Sequence, residues 1–115
     1  MGKSDNSDAA IVAGTLDLLI LKTLGNGAFH GYGIAQHIKR LSRDALRIEE
    51  ASLYPPLLRM HVNGWIASES KKSPTGREAR YYHLTAAGRK QLVQEEAEFK
   101  RSIAATMRVL KLSDA

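Results

Sequence analysis

The side chains best suited to acid-base or metal chemistry are His30, His37, His61 and His83, and none stands in an HExxH spacing or in a cluster of carboxylates and histidines at ligand spacing. Ser68-Glu69-Ser70-Lys71 matches SxxK, the spacing that sets a lysine beside a serine nucleophile. That run falls at a strand end in a charged loop, without the companion motifs of a serine acylase, so it reads as a chance match. Gly25, Gly27, Gly31 and Gly33 cluster without GxGxxG or GK[ST] and with no strand expected before them, which leaves no phosphate-cradling loop. The chain has no cysteine, which removes disulfides, thiolate metal sites and cysteine nucleophiles. An enzyme, a metal site and a bound cofactor are therefore not expected.

Charge is the remaining chemistry. The 115 residues carry 17 basic and 12 acidic side chains, a net charge of +5. All of that excess lies between Lys71 and Lys90, where Lys71, Lys72, Arg77, Arg80, Arg89 and Lys90 face only Glu78. A concentrated positive window points to a polyanion, DNA or RNA above all, although a solvated surface loop would also carry such charge.

The elements that must position these cations follow from periodicity and capping. The length suits one domain, and a content of 43% hydrophobic and 25% charged residues suits a folded globular chain. Residues 1–12 read as a flexible tail, Met1 to Asp8 being small and polar. Leu16, Leu19, Ile20 and Leu24 form a first helix, with Thr15 as N-cap, Asp17 in the first turn, and Gly25-Asn26-Gly27 ending it through positive φ. Tyr32, Ala35, Ile38 and Leu41 suggest a second helix. A third runs through Leu53, Leu57, Leu58 and Met60 to Asn63-Gly64. Pro55-Pro56 requires it either to start close to Ala51 or Ser52 or to bend there.

Beyond Trp65, a strand, the turn-rich Lys71 to Gly76 and the aromatic run Arg80 to Leu84 read as a two-stranded hairpin with a basic tip. Thr85 caps a last helix whose stripe is Leu92, Phe99, Ile103 and Leu110. At 1.5 Å per residue, this helix would reach about 39 Å. Its stripe needs a partner, most simply the same helix of a second copy, or else it folds back on helix 1. The longest apolar stretch contains Asp17 and Lys22, too interrupted for a membrane span, and Asp5 and Asp8 do not suit a signal peptide. A cytoplasmic location is expected.

Three helices, a hairpin with a basic loop and a further helix form the order of a mainly α (α+β) winged helix-turn-helix, with a DNA-binding region over 13–84 and a dimerisation helix over 85–115. The residues also resemble a family. Gly14-Thr15-Leu16-Asp17-Leu18-Leu19-Ile20-Leu21 with His30-Gly31-Tyr32-Gly33 is similar to the opening of the PadR-like transcriptional regulators. Ala51-Ser52-Leu53-Tyr54-Pro55 resembles that family's recognition-helix motif, and Gly76-Arg77, Arg80 to Thr85 and Gly88 resemble its wing and final helix. The resemblance spans about residues 14–92 and implies a bacterial repressor that binds a partly palindromic operator as a homodimer. It also implies a small-molecule effector, since several members release DNA on binding a small aromatic compound. Here the chain departs from the best-known pattern, offering Phe99 but no tryptophan in the final helix.

On this reading Ser52, Tyr54, Pro55 and Arg59 meet DNA from the recognition helix, on an outer face that also holds Pro56 and Asn63. Arg59 suits a guanine edge or a phosphate, and Asn63 suits a helix cap. Tyr54 and Tyr32 suit either phosphate contacts or core positions. Lys71, Lys72, Arg77 and Arg80 supply sequence-independent affinity from the wing, and one of Tyr81 and Tyr82 points into the core. The rival reading is a protein-protein interaction module docking through its last helix, with non-specific nucleic-acid affinity. A hydrolase is weakest, for want of a paired base and carboxylate.

Overall fold

The computed structural model describes residues 14–113, so the expected tail over 1–12 lies outside the described residues. Helix α1 spans Thr15–Leu24, and it is followed by strand β1 (Phe29–His30) and helix α2 (Gly31–Leu41). A 3₁₀ turn (Glu50–Leu53) leads into α3 (Tyr54–Val62), followed by β2 (Ile66–Lys72), β3 (Glu78–Leu84) and α4 (Ala86–Ser113). The sheet is antiparallel in the order β1-β3-β2. Phe29 pairs with Tyr82 and His30 with Tyr81, so the expected two-stranded wing gains a short third strand, and a strand does precede Gly31.

The core is formed by Ile20, Leu21 and Leu24 of α1, Ile34 and Ile38 of α2, Leu57 and Met60 of α3, and Ile66, Tyr82 and Leu84 of the sheet. Thr15 is not the N-cap of α1: Gly14 takes that place at φ 83, a left-handed conformation that glycine adopts without steric penalty, and no side chain caps the end. At the other end Gly25 keeps a right-handed φ of −65, so the positive φ expected there begins only at Gly27. In α2 the buried set is Gly31, Ile34, Ala35 and Ile38, whereas Tyr32 and Leu41 are exposed. A spacing of three falls about 60° short of a full turn at each step, so a row of four such positions leaves the buried face at both ends. His30 caps this helix, its Nδ1 accepting the Gly33 N–H at 2.8 Å.

Helix α3 resolves the Pro55-Pro56 problem by starting late. The 3₁₀ turn carries the chain to Tyr54, and the prolines then occupy the first turn, where no intrahelical N–H is needed. Asn63 is the C-cap, with Gly64 at φ 79 turning the chain into β2. Two expectations need correction. Pro56 is buried, because on a helical wheel it stands about 40° from Met60 at the edge of the inward face, and Leu58 is exposed, because it lies on the far side of Leu57.

Thr85 caps α4 as expected: its Oγ1 accepts the Gly88 N–H at 3.1 Å and donates to the Gly64 carbonyl at 2.6 Å. The 28 residues of α4 reach about 42 Å. Its first half packs on α1 of the same chain, with Leu92 against the core and Lys22 bridging Glu96 at 3.0 Å. Leu92, expected in the dimer stripe, is thus engaged within its own chain. From Ile103 onward α4 has left the domain, and Met107 and Leu110 are 59% and 55% exposed. Among the described residues no helix is long and apolar enough to cross a membrane.

Candidate nucleic-acid interface

Side-chain alternation along the hairpin sorts the wing. Ser70 faces Arg80 and Lys72 faces Glu78, so Ser68, Lys72, Arg80 and Tyr82 share one face of the sheet. Lys71 lies on the other face, its Nζ 4.7 Å from the centre of the Tyr81 ring, a cation-π contact. Tyr82 points into the core, and burial pushes its hydroxyl pKa up, while the Tyr81 ring lies against His30, tilted by 60° with the ring centres 5.0 Å apart. Arg80 reaches across to Ser68, Nη1 donating to Oγ at 3.1 Å.

Two clefts flank Tyr54. One, of about 610 Å³, separates α3 from the sheet and is lined by Tyr54, Pro55, Leu58, His61 and Arg80. The other, of about 840 Å³, lies between the start of α2 and the wing and is lined by Tyr32, Glu50, Tyr54, Arg77 and Arg80. Tyr54, Pro55, Tyr32, Arg77 and Arg80 are therefore brought onto one continuous surface.

Tyr54 is held from two sides. Its hydroxyl donates to Glu50 Oε2 at 2.6 Å, and a Cβ at Gly31 would come within 2.8 Å of the Tyr54 hydroxyl oxygen, so the ring braces the junction of α2 and α3. The hydrogen bond to Glu50, with burial and the carboxylate charge behind it, pushes the phenol pKa up to about 12. Tyr54 accordingly remains a proton donor throughout the neutral range.

Arg59 does not join this surface. It turns toward α1, where Nη1 and Nη2 donate to the two Asp17 carboxylate oxygens at 2.6 and 3.3 Å. This bidentate pair ties the outer edge of α3 to the start of α1. Arg59 is half exposed, so we predict that Arg59→Ala costs no more than about 1 kcal/mol in a denaturant melt. A loss of several kcal/mol would show that the pair carries much more of the fold.

Ser52 is exposed in the 3₁₀ turn, its N–H donating to the Glu49 carbonyl at 2.9 Å. Glu50, Leu58, His61 and Ser68 also line these clefts, and none of them has a DNA-facing role on the sequence alone. The helical wheel of α3 carries a signal for Leu58 and His61, which lie on the side of Leu57 away from Met60. Glu50 and Ser68 come from other elements and have no local signature.

A helix pair followed by a basic hairpin, with the exposed flank of α3 open beside that hairpin, defines a winged helix-turn-helix protein. The chain matches the model of the Transcriptional regulator PadR-like family over residues 20–94, and it belongs to that family. It is 35% identical to Transcriptional regulator Rv3488 of Mycobacterium tuberculosis over 78 residues, which covers 68% of this chain and 69% of that protein. Among solved structures, it is similar to a transcriptional regulator from Clostridium thermocellum (TM-score 0.74, 27% identity, 83% of this chain and 92% of that one). It is also similar to Bacillus subtilis PadR, solved in complex with operator DNA (TM-score 0.62, 26% identity, 70% of this chain and 45% of that one). The family and these relatives are transcriptional regulators, not enzymes.

Proposed function

We propose that the protein is a sequence-specific DNA-binding repressor that acts in the cytoplasm as a homodimer on a palindromic operator. Residues 13–84 form the DNA-binding unit in this reading, and 85–115 form the dimerisation helix. The observation that carries it is the continuous surface on which Tyr32, Tyr54 and Pro55 stand beside Arg77 and Arg80 of the wing, in a chain whose whole positive excess lies at and just beyond the wing. Helix α3 enters the major groove, and the wing cations hold the flanking phosphates. Two such units, joined through the free end of α4, occupy successive grooves and exclude polymerase. The operator-bound structure of Bacillus subtilis PadR supports the DNA partner by kinship.

Phosphate contacts position a protein without naming bases, which fixes the expected result of removing them. Replacing Lys72, Arg77 and Arg80 together with Ala should weaken binding to a preferred duplex and to a random duplex by similar factors. The plot of log K against log salt should flatten by about 0.9 for each phosphate no longer neutralised. An unchanged salt slope would remove the wing from the interface.

A further inference from the structure

The outward stripe of α3 is apolar. Pro55, Leu58 and Val62 stand at i, i+3 and i+7, and all three are exposed, Leu58 by 67% and Val62 by 76%. Three of the polar side chains that flank this stripe are engaged elsewhere. Arg59 is held by Asp17, the Tyr54 hydroxyl is held by Glu50, and His61 lines the cleft toward the sheet. The stripe itself, Pro55, Leu58 and Val62, holds none of the Arg, Asn and Gln side chains that recognise guanine and adenine by paired hydrogen bonds.

Its surroundings identify the occupant. Arg77 and Arg80 line the clefts beside α3 on the wing side, with Lys72 on the same face of the sheet as Arg80, a positive margin that a second copy of this +5 chain would not complement and that a polyanion would. Within a major groove, the apolar group displayed on a base edge is the C5-methyl of thymine. We propose that Leu58 and Val62 are specificity-determining residues that read thymine methyl groups, so that each half-site is selected by apolar contact. Pro55 supports this, since the two prolines stiffen the first turn of α3 and Leu58 follows directly on that turn. This inference rests on the placement of α3 in the major groove.

The test begins by selecting a preferred duplex from a random pool with the full chain at physiological salt. Each thymine is then replaced by deoxyuridine, which deletes the methyl and keeps every hydrogen-bonding group, and affinities are read by fluorescence anisotropy. A buried methyl is worth about 0.8 kcal/mol, so one or more positions per half-site should weaken by about fourfold. The Leu58→Ala and Val62→Ala variants, both at exposed positions that the fold does not need, should between them abolish the difference between thymine and deoxyuridine there. Their loss of discrimination separates a protein contact from any change in the shape of the duplex. Uniform indifference to deoxyuridine in the wild-type protein would overturn the proposal while leaving DNA recognition intact, as would variants that keep the full difference. A pool that yields no preferred duplex would overturn the proposal together with the reading on which it rests.

Discussion

Gly88→Ala is expected to destabilise the protein severely, although it adds a single methyl group. A Cβ at position 88 would lie 1.9 Å from the Trp65 carbonyl oxygen and 2.9 Å from its carbon, which are backbone atoms with no rotamer to change. The same carbonyl accepts the Thr85 N–H at 3.0 Å, and Thr85 Oγ1 binds the neighbouring Gly64 carbonyl. The start of β2 and the start of α4 are thus fastened at adjacent residues, and neither can retreat without breaking a cap or a backbone hydrogen bond. Overpacking of this kind costs about 3 kcal/mol or more, which for a domain of this size lowers the melting temperature by about 10 °C or more. Gly25→Ala supplies the contrast. Its Cβ would meet the Leu92 Cδ2, the movable end of a side chain, and the Lys22 carbonyl oxygen, both at 3.2 Å, contacts that a shift of a few tenths of an ångström relieves, and the change should stay within about 1 kcal/mol. Melting curves of the two variants decide the matter, and a Gly88→Ala midpoint close to that of the wild type would mean that α4 is not seated as described.

The second large effect concerns assembly. Phe99, Ile103, Met107 and Leu110 follow one another at spacings of four, four and three, and the last three are exposed along the part of α4 that has left its own domain. If this stripe joins two copies, Ile103→Asp places an unpaired charge in the middle of the joint, while the protomer's own core, which ends near Leu92, is untouched. Sedimentation should then shift from twice the chain mass to the single-chain mass. Affinity for a palindromic duplex should fall by about 100-fold or more, because the second half-site is no longer bound at the effective concentration set by the first. Affinity for an isolated half-site should not change. A wild-type protein that sediments as a monomer would instead favour an interaction module that docks α4 on another partner.

Much of the fold is legible in the sequence because its elements obey strong local rules. The Thr85 cap, the Asn63-Gly64 stop and the inward set of Leu53, Leu57 and Met60 each follow from side-chain chemistry within a few residues. The winged helix and the family are legible for the same reason, the motifs standing in order along the chain. Features set by distant contacts are not. Strand β1 is two residues long, too short for any period to reveal, and it exists because Tyr81 and Tyr82 lie alongside it. Arg59, a cation on a recognition helix, reads as facing DNA, yet Asp17, 42 residues away, accepts a hydrogen bond from each of its Nη1 and Nη2. Leu58 and Val62 look like ordinary helix formers until the burial of Pro56 fixes the roll of α3. The division of the wing cations between two faces of the sheet likewise needs the register of Lys72 with Glu78.

Sequence-specific recognition of duplex DNA through α3 and the wing can be tested by an anisotropy titration of the full-length protein, at physiological salt, against its selected duplex and against a scrambled duplex of the same composition. The selected duplex should bind about 1,000-fold tighter or more, the margin that separates specific from non-specific complexes. Equal affinities for the two duplexes, both falling together as salt rises, would refute sequence recognition and leave only a basic surface with no bases to read.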